Sequence, residues 1–300
     1  MEQDLSDTDP MPTLTIGHSP DPDDAFMWWP LGTPKRPPAI DTGRFTYLPV
    51  PEDIEVLNRR AIEQGDLDCT AISVFTYPFV RERYRLTACG GSFGDGYGPK
   101  VVCRESRGRD WLREPGLVFA VPGEKTSTFL AFSILLGQTF TYRVLPFDRI
   151  IPAVQAGDVD AGLVIHQGQL TYAEDGLDLV VDLGAWWAEE TGLPLPLGAN
   201  VIKRDLDARH GPGTSREVAS VLRQSIEYAM KHHAEGVTEA MAYAGGLAAR
   251  KTGAFIDLYV NEATLDAGER GLLAYERLLH EGHDRGLCPD PGMIDFVRGG

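Results

Sequence analysis

The chain predicts an α/β protein built as two similar lobes around a central cleft, and three observations carry that reading. The first is a helical tail that stops at Gly157, a residue free to adopt positive φ, followed at once by the short apolar run Ala161–Ile165 of a buried strand. The second is that the same grammar occurs earlier: Ala61-Ile-Glu-Gln-Gly-Asp-Leu-Asp leads into Ala71-Ile72. Laying residue 61 on residue 153 aligns Ala61 with Ala153, Gly65 with Gly157, Asp66 with Asp158 and Asp68 with Asp160, while Leu67/Val159 and Ile72/Val164 match in type. The third is the residue at the end of each run. In open α/β sheets ligands bind beyond the carboxyl ends of the strands. A duplication would therefore put His166 on one wall of a cleft and Ser73 on the other.

Composition excludes several classes of function. With 43% hydrophobic and 24% charged residues over 300 positions, the chain reads as globular, with room for one large or two ordinary domains. No apolar run approaches the roughly 20 residues a bilayer span needs. The net charge of −16 argues against nucleic acid, which demands basic patches, but leaves a small anionic ligand possible if a helix N-terminus supplies local positive potential. Cys69, Cys89, Cys103 and Cys288 show neither a CxxC pair nor metal-ligand spacing, so they read as reduced core residues and no metal site is expected. The acidic start, Met1 to Pro10, has no apolar core and is the opposite of a secretory signal, so the expected compartment is the cytoplasm.

The elements follow in order. Residues 1–12 read as a disordered leader and Leu14-Thr15-Ile16 as the first strand. The loop Gly17-His-Ser-Pro-Asp-Pro-Asp-Asp24 leaves it, with Asp23 or Asp24 available to cap a helix near Ala25. A calcium loop fails there because Phe26 and Gly32 stand where the turn glycine and the bidentate glutamate belong. Asp24 at the cleft edge as a ligand contact is compatible with capping. Phe45–Val50 reads as a strand, Glu52–Glu63 as an amphipathic helix, and Ala71–Val74 as the strand ending near Ser73. Gly90–Pro99 holds five glycines but neither a P-loop nor a dinucleotide fingerprint, and suits a hinge before the strand Lys100–Cys103. After the strand Leu117–Val121, the hydroxyls of Thr126-Ser127-Thr128 open an apolar helix, a natural seat for an anion or carboxylate as well as a cap. A helix over 148–156 precedes the strand that ends at His166, and Leu179–Leu183 is a further strand. From Thr214 the pattern is helical: a capping box Thr214-Ser-Arg-Glu217, a second helix over about 235–249, and a third after Asn261.

These segments together resemble one family. Ser19-Pro-Asp-Pro-Asp-Asp-Ala-Phe26, Ala71-Ile72-Ser73, Gly98-Pro-Lys-Val-Val102, Val121-Pro-Gly123, Leu163-Val-Ile-His166, Leu170-Thr-Tyr172, Val180-Val-Asp-Leu-Gly-Ala-Trp-Trp187 and Thr191-Gly-Leu-Pro-Leu-Pro-Leu-Gly198 are similar to the motifs of the 1,4-dihydroxy-6-naphthoate synthases of the futalosine route to menaquinone. The resemblance covers about residues 13–285, and the Trp-Trp to Leu-Gly stretch is its most specific part. It implies a type 2 periplasmic-binding-protein-like fold and cofactor-independent cleavage of cyclic dehypoxanthinylfutalosine. It implies His166 as general base, with Ser73 and the paired hydroxyls of Thr126 and Ser127 as substrate seats, beside which Ala71 and Ile72 are candidate substrate contacts. Asp24 joins them as a candidate contact. Many members carry Cys and Asn where this chain has Asp21 and Asp23 or Asp24, which leaves the roles of these aspartates open.

Two rival readings share the fold. A solute-binding protein wants an export signal, and the sister chorismate dehydratase is disfavoured by Trp186-Trp187 and Ile165-His166. The expectation is a lyase with one lobe at about 13–99 and 203–300 and the other at 100–202. Its partner would be a small anionic substrate, with no nucleic acid and no membrane; a homodimer is compatible with the sequence.

Overall fold

The computed structural model describes residues 11–244, 246 and 248–299. Residues 1–10 of the expected leader lie outside the described residues. Among the described residues twelve strands form two sheets: β1 (Thr13–His18), β2 (Thr46–Pro51), β3 (Cys69–Ser73), β4 (Tyr84–Thr87), β5 (Ser92–Gly94), β6 (Lys100–Cys103), β7 (Val118–Val121), β8 (Thr141–Val144), β9 (Ala161–Val164), β10 (Asp178–Asp182), β11 (Leu195–Lys203) and β12 (Phe296–Val297). The first sheet runs β12-β4-β11-β3-β1-β2, with β5 also on β11, and the second runs β10-β6-β9-β7-β8.

The repeated grammar of the sequence is a repeat of topology. Each sheet has one strand between two parallel neighbours, β2-β1-β3 and β8-β7-β9. An antiparallel strand then follows on the inner flank, β11 beside β3 and β6 beside β9. The matched residues do matched work. Gly65 and Gly157 turn at φ 59° and 79°, a left-handed conformation that side chains resist. Asp68 Oδ2 accepts from the amide of Thr15 on β1 at 2.9 Å, and Asp160 Oδ2 from that of Val118 on β7 at 2.8 Å. Each aspartate thus ties the entry of one strand to its parallel neighbour.

The chain passes between the sheets twice, from β5 to β6 and from the helix Leu183–Thr191 to β11. β11 lies in the first sheet along its length, pairing with β5, β3 and β4. The lobe boundary expected from the sequence falls at 202/203, with 199–202 as the crossover; the strand itself begins earlier, at Leu195. The strand accommodates Pro196 by a register shift between Pro196 and Gly198 opposite β5.

The helices depart from the sequence pattern where caps compete. The first spans Pro22–Trp28, so Asp23 and Asp24 sit in its first turn rather than at its cap. The expected box at Thr214–Glu217 does not form. Gly213 occupies the cap position at φ 88° of the helix Thr214–Lys231, Asp207 accepts from the Ser215 amide, and Glu217 pairs with Arg44. The single helix expected over 235–249 is instead His233–Ala240, a short 3-10 turn at Met241–Tyr243 and a new helix from Ala249 to Tyr259. β5 and β12 are too short to show a period, and β4 (Tyr84–Thr87) and β8 (Thr141–Val144) carry polar residues that break the apolar run.

The helix Ser127–Leu136 buries all but Phe129, so its apolar run faces neighbours on every side. Leu130, Phe132 and Leu135 join the main apolar cluster, which also draws Ile72 and Tyr275 from one lobe and Phe119 and Trp187 from the other. Each such side chain contributes about 1.5–3 kcal/mol on full burial. The anchored end of this helix fixes the geometry of the cleft at its N-terminus.

Candidate active site

A cleft of about 750 Å3, its open mouth included, lies between the sheets. It brings together every candidate named from the sequence: Ala71, Ile72 and Ser73 at the end of β3, Thr126 and Ser127 at the helix start, Asp24, and His166 just past β9. Asp21, Asp23, Gln169, Asn200 and Tyr259 also line it.

His166 stands out by its backbone. At φ 56° it is the only non-glycine residue in the left-handed region among the described residues. Such a conformation costs a side-chain-bearing residue about 1–2 kcal/mol and persists where the surroundings impose it. The turn aims the ring across the cleft. Its Nδ1 lies 2.5 Å from Asp21 Oδ2, and its Nε2 is buried with no hydrogen-bond partner among the described residues. Phe147 holds the ring from its own lobe, edge to face at 4.4 Å. Burial alone would pull the imidazole pKa down, but the charge and hydrogen bond of Asp21, aided by Asp53 and Asp23, carry it above the ordinary histidine value.

The three neighbouring aspartates have different tasks. Asp21 Oδ2 also accepts from Ser19 Oγ at 2.7 Å. Asp24 accepts from the Ser19 amide at 2.6 Å, an internal tie that leaves it at the cleft wall. For Asp23, burial together with the charges of Asp24 and Asp21 pushes the carboxyl well above the usual range. Sequence reasoning singled out Asp24 and left Asp21 open. The missed signal is that the proline after Asp21 starts the helix, which places Asp21 just outside it.

The opposite wall is a helix N-terminus. Thr126 caps it, its Oγ1 accepting from the Phe129 amide at 3.2 Å and donating to Gly123 O at 2.9 Å. Ser127 Oγ donates to Leu197 O at 2.6 Å and accepts from the Phe75 amide at 3.3 Å. Both hydroxyl protons are thus committed inside the protein, and the donors offered to a ligand are the first-turn amides of Ser127 and Thr128. Ser73 is ordered by Asn58, which donates to its Oγ at 3.1 Å and accepts from its amide at 2.8 Å. That leaves the Ser73 hydroxyl proton free to point at a ligand. Tyr259 donates to Gln169 Oε1 at 2.8 Å, a second contact across the cleft. No group of three or more His, Cys, Asp or Glu among the described residues is arranged to hold a metal ion.

Thr126→Val is therefore expected to act on the fold first. Losing the cap costs about 0.5–2 kcal/mol of stability, visible as a lower Tm. KM should rise only as far as the first-turn amides lose their register. A rise in KM with unchanged Tm would mean that the hydroxyl itself serves the ligand.

The architecture is that of the two-lobed periplasmic binding proteins. A ligand-binding component of an import system from Staphylococcus aureus superposes with a TM-score of 0.71 over 96% of this chain and 97% of its own, at 12% identity, a likeness of fold alone. A crystal structure of a protein from Archaeoglobus fulgidus is nearer, with a TM-score of 0.82 and 38% identity over 92% of this chain and 98% of that one. A model of the family described as "Menaquinone biosynthesis" matches residues 14–284. Proteins named 1,4-dihydroxy-6-naphtoate synthase are 42% identical in Thermus thermophilus, over 94% of this chain and 98% of that one, and 37% identical in Streptomyces coelicolor, over 93% and 96%. The chain belongs to this menaquinone-biosynthesis family of enzymes. No helix among the described residues is long and apolar enough to cross a membrane.

Proposed function

We propose that the protein is a 1,4-dihydroxy-6-naphthoate synthase, a lyase that converts cyclic dehypoxanthinylfutalosine without a cofactor. The observation that supports this best is the pairing of His166 with an anion seat in one cleft. Releasing an aromatic product by breaking a carbon–carbon bond requires removal of a proton, and Nε2 of His166 is the unpartnered nitrogen in position to take it. The substrate carboxylate meets the free amides of Ser127 and Thr128, where the helix dipole and two N–H groups favour negative charge in a chain of net charge −16. Ser73 supplies a further hydroxyl from the other sheet.

Incubating the purified protein with the cyclic futalosine derivative, and separately with chorismate, tests the reading by mass spectrometry. Appearance of the naphthoate from the first and no change in the second is the expected result. Dehydration of chorismate would make it the sister enzyme, and binding of either compound without turnover would make it a solute-binding protein.

The pH dependence has a definite sign. A base works only when neutral, and the His166 pKa lies above the ordinary value of 6.5. kcat should therefore rise with pH through a limb on the alkaline side of 6.5 and level off above it. A limb on the acid side would contradict the assignment.

A further inference from the structure

We propose that Asp21 is a positioning residue for His166, supplied across the cleft from the opposite lobe so that the base has a fixed tautomer only where the two lobes meet. This rests on the reading of His166 as base, and goes beyond it by naming the group that makes that nitrogen basic.

The local structure leaves Asp21 available for the task. It stands at the cap position of the helix Pro22–Trp28, yet its side chain makes no capping bond. Its carboxylate turns instead into the cleft, where Oδ2 meets His166 Nδ1 at 2.5 Å and Ser19 Oγ at 2.7 Å. Both side chains are close to buried, at 6% exposed for Asp21 and 11% for His166, so water does not compete strongly for the pair. His166 in turn is held at φ 56°. Asp21 follows β1 of the first sheet, whereas His166 follows β9 of the second. Neither lobe alone contains both groups.

An ionised carboxylate can only accept, so the shared proton sits on Nδ1 and the lone pair is left on Nε2, the unpartnered atom. When Nε2 takes a proton from the substrate, the ring becomes an imidazolium beside a carboxylate that stays ionised. The proton leaves again from Nε2 to the departing fragment or to water, and Asp21 ends as it began. The titratable groups that face the ring are Asp21 and Asp23 from the loop and helix after β1, and Asp53 from the start of the helix Ile54–Glu63. The neighbour from its own lobe, Phe147, carries no charge.

The test is nitrogen-15 NMR of the histidine rings in wild type, Asp21→Asn and, for assignment, His166→Asn, each free and with 1,4-dihydroxy-6-naphthoate added. In wild type His166 should hold its proton on Nδ1 when neutral. In Asp21→Asn its pKa should fall by about 1 pH unit or more, the scale of an adjacent opposite charge. The kinetic arm uses the same variant: kcat should fall about tenfold or more with KM little changed, and the acid limb of the pH profile should move to lower pH. A fall in kcat with an unmoved limb and an unmoved ring pKa would mark Asp21 as merely structural and overturn the proposal. If Asp21→Asn does not fold, Ser19→Ala carries the test, because loss of its O–H leaves more charge on Oδ2 and should move the ring pKa up; an unmoved pKa overturns the proposal. The NMR arm does not depend on turnover. An inactive wild type would therefore count against the proposed function, while the tautomer and pKa would still decide the role of Asp21.

Discussion

Replacing His166 with Asn is expected to lower kcat by about 10²–10⁴-fold, the range for loss of a positioned base, with KM little changed. Asn keeps polarity and approximate size but cannot take up a proton near neutral pH. It also tolerates positive φ better than most side chains, which suits the φ of 56° that position 166 imposes. The variant should therefore fold and bind. A base acts mainly in the transition state, so the loss should fall on kcat. Steady-state kinetics beside a thermal melt checks this: unchanged kcat removes His166 from the chemistry, and a collapsed Tm would mean the residue serves the fold.

Gly184→Ala is expected to be the most damaging of the conservative substitutions. Gly184 lies in the first turn of the helix Leu183–Thr191, which Asp182 caps through the amides of Gly184 and Ala185. A Cβ there would stand 1.8 Å from Tyr97 O and 2.7 Å from the Gly98 amide, both backbone atoms of the crossover into β6. Backbone cannot swing aside as a side-chain tip can, so helix or crossover must shift. Overpacking of this kind costs about 1–3 kcal/mol, occasionally more. The same crossover carries Lys100, whose ammonium meets Asp182 at 2.5 Å in a half-buried pair. Displacement should therefore weaken substrate binding as well as stability. A melt within a degree of wild type and an unchanged KM would show that the crossover gives way freely.

The sequence disclosed the repeat because the repeat rests on residues with little choice. Gly65 and Gly157 turn at positive φ, and Asp68 and Asp160 each hold the amide of a neighbouring strand, so the identities recur with the geometry. The strand ends at Ser73 and His166 were legible for the same reason, since short apolar runs have few other places to lie in an α/β protein. What stayed hidden depends on contacts between distant segments. Pro22 sets Asp21 outside the helix that holds Asp23 and Asp24, but nothing local names its partner, which lies 145 positions away on the other lobe. The Thr214 region shows the converse. A complete capping-box pattern was present, yet Arg44 claims both Glu217 and the Thr214 hydroxyl at 2.8 and 2.6 Å, and the box does not form. The full extent of β11 stayed hidden for a similar reason: Val201-Ile202 reads as a strand returning to the first lobe, but its earlier residues are fixed by pairing with β3 and β5, far away in the sequence.

The most direct measurement is a crystal structure with 1,4-dihydroxy-6-naphthoate bound. The account predicts the product in the cleft between the sheets, its carboxylate on the amides of Ser127 and Thr128 and its ring system within hydrogen-bond reach of Ser73 and of His166 Nε2. A product seated outside the cleft, or with its carboxylate turned away from that helix N-terminus and His166 beyond reach, would contradict it.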